Sequence, residues 1–198
     1  PPQVTRADGF RQKPRGASRA RVPGMMPGMP KVELGRAATY EDLVAAPEHL
    51  VAELVDGELW TSPRPALRHA AAASVLGHLI GPPFGQGRGG PGGWIILDEP
   101  EIHLGPHALV PDLAGWRLER MPRVPDTAYS TLAPDWVCEV LSPSTAILDR
   151  AKKLRIYAAH DVRHAWLVDP ILRTLETLRH EGGHWVLLDP LPGNAGVR

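Results

Sequence analysis

Two acids occupy positions where a charge is costly, Asp112 in LVPDLAGW and Glu139 in WVCEVLSPST, and Lys153 follows in DRAKKLRIY on a predicted helix whose one face includes apolar residues. An ionised carboxylate taken into such surroundings must be neutralised, paired with a cation or bound to a metal. For one acid alone, a hydrogen bond to a loop or an arginine partner is a sufficient explanation. Two acids on successive strands raise the further option that they meet and hold a divalent cation, since carboxylates, backbone carbonyls and waters are the ligands Mg²⁺ prefers. A lysine beside them is the group needed to orient an attacking water or stabilise developing phosphate charge.

The elements expected to carry these residues are strands and one helix. WVCEVL (136–141) is an apolar strand that Ser142-Pro143-Ser144-Thr145 stops, and the same serines and threonine can cap a helix over about 147–160. On that helix Asp149, Lys153, Ile156 and Tyr157 are three or four residues apart and share one face. Lys153 is therefore expected to point inward, and Lys152, about 100° away, to be solvated. WIILDEPEIHL (94–104) and ALVPDLAGW (108–116) read as neighbouring strands joined by Gly105-Pro106, the second carrying Asp112. Upstream, Thr39 caps a short helix over 40–46, VAELVDGELW is a hairpin around Asp56-Gly57, and 66–80 is an Ala/Leu-rich helix closed by Gly81-Pro82. The Gly/Pro stretch 81–93 is a loop, and 117–134 a Pro-punctuated connection with a helical turn near Leu132. HAWLVDP, RTLETLRH and HWVLLD are three closing strands. The order predicts a mixed sheet with helices packed on it, an α/β (α+β) fold.

Bulk properties narrow the function classes. The 198 residues carry 22 basic and 22 acidic side chains, so there is no global attraction to nucleic acid and any such surface must be local. A single cysteine, Cys138, excludes an intrachain disulfide and a Cys-based zinc site. The His pairs 103/107, 160/164 and 180/184 straddle turns or a helix end, so helical ligand spacing does not apply and structural zinc is disfavoured. No run approaches the roughly 18 apolar residues of a membrane span, and the absence of an apolar leader core makes a cytoplasmic protein the expectation. Residues 1–35, basic and poor in aliphatics, are expected to be disordered or upstream sequence; 36–189 form one domain and 190–198 a tail. Trp94, Trp116, Trp136, Trp166 and Trp185 fall in strands and read as core or interface packing, with Trp60 at the hairpin end partly exposed.

The pattern PD-x(26)-E-V-L-S-P-S-T-x3-D-x3-K-x3-Y followed by W-L-V-D-P resembles the Uma2 family of endonucleases (domain of unknown function 820), within the PD-(D/E)XK restriction-endonuclease-like superfamily. AELVDGELW resembles the family's opening hairpin, and His69 the histidine usual at the start of the next helix. The resemblance covers about Tyr40 to Leu188. It implies a restriction-endonuclease-like mixed central sheet flanked by helices, and an endodeoxyribonuclease that uses Mg²⁺ or Mn²⁺ to hydrolyse nucleic-acid phosphodiester bonds, often as a homodimer. It implies that Asp112 and Glu139 bind the metal with the carbonyl of Val140, and that Lys153 is a lysine migrated to the helix from position 141, here Leu141. Glu53 in the hairpin matches a further acid of the site. The chain departs from the family at Asp161, where glycine is usual, and in the insertion 81–93. The competing expectation is a catalytically silent binding or assembly module that keeps the fold while Lys153 or Arg155 satisfies the acids.

Overall fold

The computed structural model describes residues 31–192. Much of residues 1–35, and the end of the tail, lie outside the described residues.

Two sheets share the chain. The smaller has the order β1-β3-β2-β6-β5 and the larger β11-β10-β9-β8-β7-β4. The first is built on the hairpin β2 (Leu50–Val55) and β3 (Glu58–Pro63), flanked by β1 (Lys31–Val32). The hairpin turn matches its sequence: Asp56 and Gly57 have φ of 55° and 72°, the double left-handed turn that such a pair favours. Lys31 and Val32 pair with Trp60 and Leu59, so regular pairing begins a few residues before residue 36.

The runs 94–104 and 108–116, expected as two continuous strands of one sheet, are each broken and passed between sheets. β4 (Trp94–Asp98) and β7 (Leu113–Arg117) pair in the larger sheet, while β5 (Ile102–Leu104) and β6 (His107–Leu109) pair in the smaller. Glu99 at φ 47° turns the first run, and Pro111, with no N–H to give a ladder, interrupts the second. The two bends are tied together where Glu99 N donates to Asp112 O at 3.0 Å. Asp112 therefore lies in the break before β7, and not inside a strand as its apolar flanks suggested. The single mixed sheet expected from element order becomes two sheets for the same reason, and the α+β class stands.

The larger sheet is mixed: β8 (Trp136–Val140) runs parallel to β9 (His164–Asp169) and antiparallel to β7. A parallel pair needs a helical crossover. Here it is a wide π-type stretch, Leu148–Lys153, continuing as α3 (Leu154–Ala159). That helix packs Leu148, Leu154, Ile156 and Tyr157 into the core with Val55, Ile102, Leu109, Trp116, Val137 and Leu167. β10 (Thr174–Glu181) and β11 (His184–Pro192) complete the sheet, β11 running past residue 190. The opposite face is covered in part by α2 (Leu67–Ile80), whose Leu76 and Ile80 meet Leu113 and Cys138. The short α1 (Tyr40–Val44) is capped where Thr39 N donates to Asp42 Oδ2 at 2.8 Å. The helical turn expected near Leu132 is replaced by extended chain. Ser130 bridges to Ile102, and Leu132 O accepts from Trp116 Nε1 at 2.8 Å, contacts that hold this segment against β5 and β7. No helix of the described residues is long and apolar enough to cross a membrane.

Candidate active site

The site is assembled at the C-terminal end of β8, where both sheets and the crossover helix converge. Glu139 is the fourth residue of β8. Its neighbours Cys138 and Val140 pack on the α2 face, so the two-residue period turns Glu139 towards the crossover helix. It is 3% exposed. Lys153, 2% exposed, ends the π-type stretch and points back at it, as its helical face required. Nζ lies 2.9 Å from Glu139 Oε1, 3.0 Å from Glu53 Oε1 and 3.6 Å from Asp149 Oδ1. Glu53 comes from β2, so the lysine links a carboxylate of the smaller sheet to one of the larger. Lys152, on the adjacent face, instead reaches Glu58 at 2.8 Å and covers the Trp60 ring. Arg155 pairs with Asp56 at 2.6 Å, away from the cleft.

Each acid is held further by neutral donors. Tyr157 OH donates to Glu139 Oε1 at 2.6 Å, and Val110 N donates to Glu53 Oε1 at 2.8 Å. Asp112 Oδ2 accepts from Val140 N at 2.7 Å, which brings the backbone of the residue after Glu139 against the second acid. His69, on the first turns of α2, places Nε2 3.3 Å from Asp112 Oδ1. Glu53, His69, Asp112, Glu139, Asp149 and Lys153 all line one cleft of about 260 Å³. The structure thus brings together every residue singled out in the sequence: Asp112, Glu139, Val140, Lys153 and Glu53.

Asp149, Tyr157 and His69 join them, although the sequence alone assigns none of the three a role in the site. The i,i+4 spacing of Asp149 and Lys153 and the shared face of Tyr157 were the available signals for the first two. His69 had only the resemblance to mark it, because α2 reaches Asp112 through tertiary packing alone.

Three carboxylates thus meet one buried lysine, with Asp112 beside His69 in the same cleft, and the imbalance governs protonation. Burial disfavours the Lys153 ammonium, yet Glu139 and Glu53 outweigh that and hold its pKa well above the usual lysine value. Burial pushes Glu139 well above the carboxylate range against the pull of Lys153, and Asp149 rises to about 6 for the same reasons. Burial also works against the His69 imidazolium, but Asp112 more than compensates and its pKa is raised. In the absence of a further cation, the surplus of negative charge is met by protons.

That surplus is the test of whether a divalent ion suits the site. Among the described residues, no group of three or more His, Cys, Asp and Glu side chains is arranged to hold a metal as it stands. The ammonium of Lys153 draws Glu53 and Glu139 to itself. The donor chemistry nonetheless fits: hard carboxylate oxygens in excess over the local positive charge, around a cleft with room for water, are what Mg²⁺ and Mn²⁺ select.

The chain is similar in structure to a putative nuclease belonging to DUF820 from Anabaena variabilis ATCC 29413, with a TM-score of 0.63, 24% identity, and coverage of 77% of this chain and 84% of that one. At that identity the likeness speaks for the fold. Curated proteins give no match. The family model Uma2, described as putative restriction endonuclease, matches residues 37–197, most of the chain. The chain belongs to the Uma2 family.

Proposed function

We propose that this protein is a divalent-cation-dependent nuclease that hydrolyses phosphodiester bonds of nucleic acid, DNA foremost. The observation that carries this reading is the meeting of Asp112, Glu139, Glu53 and Lys153, from four separate chain segments, in one cleft with an excess of negative charge. The family and the fold likeness point the same way. Asp112, Glu139 and the Val140 carbonyl would hold Mg²⁺ or Mn²⁺, which supplies Lewis-acid polarisation of a phosphate and a more acidic bound water. Glu53 completes the acidic wall. Lys153 fixes Glu139 and Glu53 in the resting protein. Were those acids to hold a cation, its ammonium would be free to orient the attacking water and to meet charge developing on the scissile phosphate. The proposal includes one nuclease domain over about 36–189. It also includes a homodimer, for which β11, an edge strand with Val186, Leu187 and Leu188 exposed, offers pairing surface.

The silent-module alternative draws on one observation, the pairing of Lys153 with Glu139 and Glu53. It gives no account of why four carboxylates line one cleft. Nicking of supercoiled plasmid with Mg²⁺ or Mn²⁺ decides between the two. The wild-type protein should nick, and Asp112→Ala and Lys153→Ala should each lose at least about 100-fold. Calorimetry should register Mn²⁺ binding to the wild type and not to Asp112→Ala. Equal nicking by all three proteins would assign the activity to a contaminant. A wild type silent with both ions would favour the module.

A further inference from the structure

At the other end of α2, the same sheet face carries a second cavity. Residues directly opposite on neighbouring strands project to one side. Trp94 faces Arg117 across β4 and β7, and Gly115 faces Trp136 across β7 and β8. Trp136 then faces His164, and His164 faces Arg179 on β10. Aromatic and cationic side chains therefore form one row over five strands, about 19 Å across at the usual strand spacing of about 4.8 Å.

The row encloses a cavity of about 210 Å³, walled by Ile80 at the end of α2, by Phe84 in the π-type turn Gly81–Gly85 that continues it where a loop was expected, and by Trp166 from β9. Arg117 stacks 4.7 Å from the Trp94 ring centre, and Trp136 meets Trp166 edge to face at 5.2 Å. Nothing rises between the Trp94 and Trp136 indoles because residue 115 is glycine: an added Cβ would stand 3.3 Å and 3.1 Å from their rings. Trp136, 8% exposed, also leaves its buried Nε1 without a hydrogen-bond partner.

The charges identify the occupant. An apolar helix or a second sheet docking on this face would have to desolvate Arg179 and Arg117, the latter forming no ion pair among the described residues. Burial and the neighbouring arginines hold the His164 pKa down, so its ring adds a polar edge and no charge. Arg179 is held by Glu181 at 2.6 Å, although its side chain is 46% exposed. A polyanion with flat rings meets both requirements, since bases stack on indoles and phosphates pair with guanidinium groups. The cavity is smaller than the roughly 300 Å³ of a drug-sized ligand site, so it suits one ring system at a time. The cleft itself repels phosphates while its carboxylates are uncompensated, so substrate needs cationic anchorage elsewhere. From His69 in the cleft to Ile80 at the cavity, α2 advances about 16 Å at 1.5 Å per residue. That is roughly five nucleotides of stacked strand at about 3.4 Å each.

We propose that the row Trp94–Arg117–Trp136–His164–Arg179 is a binding platform for single-stranded nucleic acid, seating one unpaired base in the cavity and leading the strand along α2 to the cleft. This rests on the nucleic-acid reading of the cleft and adds the substrate form, an unpaired segment.

The test is fluorescence anisotropy of a fluorescein-labelled single-stranded oligothymidine of about 15 nucleotides with the full chain in EDTA, where no hydrolysis occurs. Binding should quench tryptophan emission, weaken with salt, and exceed binding of a duplex of equal length. Trp94→Ala and Arg117→Gln should each weaken it by about 5- to 100-fold, and Trp94→Phe should restore it. Arg117 is exposed, so its variant keeps the fold, which circular dichroism verifies. Asp112→Asn should abolish nicking and retain oligonucleotide affinity. Platform binding without nicking in the wild type would sink the nuclease reading and leave the platform standing. Affinity unchanged in Trp94→Ala and Arg117→Gln, or equal for duplex, overturns the platform. So does a dimer that shields the tryptophans from acrylamide and binds no oligonucleotide.

Discussion

Asp149 offers a direct measure of the electrostatic imbalance in the cleft. It is 4% exposed, its pKa is raised to about 6 from an ordinary 3.8, and its nearest cation, Lys153, is shared with two other acids. The sign follows from linkage. The unfolded chain gives up this proton near pH 4, whereas the folded chain holds it to about 6, so folding is favoured by protonation. The stability associated with a protonated Asp149 is fully present below about pH 4 and lost as pH rises through about 6. Two pKa units at 1.36 kcal/mol each make the loss about 3 kcal/mol above neutrality. The substitution Asp149→Asn keeps the shape of the protonated acid and introduces a side chain that cannot ionise. The variant should therefore match the wild type at about pH 4 and exceed its stability by up to about 3 kcal/mol at about pH 8, in EDTA. Urea unfolding at the two pH values measures this directly, with the slope of each transition confirming that the same surface is exposed. A variant less stable than the wild type by the same amount at both pH values would refute the argument. Asp149 would then be a net favourable partner of Lys153 and not a surplus charge.

Two further outcomes follow from packing. Tyr157→Phe removes the hydroxyl that donates to Glu139 at 2.6 Å within the core, leaving that oxygen short of a partner, and should cost about 1–3 kcal/mol in urea unfolding. Gly115→Ala sets a methyl 3.1 Å from Trp136 and 3.3 Å from Trp94, and should lower stability by about 1–3 kcal/mol while changing tryptophan emission.

The candidate site was more legible in the sequence than the path of the chain that builds it. The inward turn of Lys153 followed from helical spacing alone, because a face bearing Ile156 and Tyr157 must be buried and carries its lysine with it. The hairpin followed from Asp56-Gly57, whose backbone preference is local. The sheet exchange at Glu99 and Pro111 was not legible. Both halves of each run are apolar and satisfy the same strand pattern, and the difference between one sheet and two lies in contacts far apart in sequence. Pro111 was the available signal, yet a proline also suits a strand edge. Glu139 looked like an acid in search of a metal. Its partners, Lys153 from the crossover helix and Tyr157 one turn beyond, satisfy it first, and the case for a metal moves from that one residue to the surplus of acids over cations in the cleft.

The lysine that spans the two sheets has a mechanical consequence. Glu53 and Glu139 belong to separate sheets that share one core, and the Lys153 ammonium bridges them close to the chain crossings at Glu99 and Asp112. A doubly charged guest competing for the same two carboxylates would loosen that bridge as it enters, so filling the cleft and relaxing this tie between the sheets would be one coupled event.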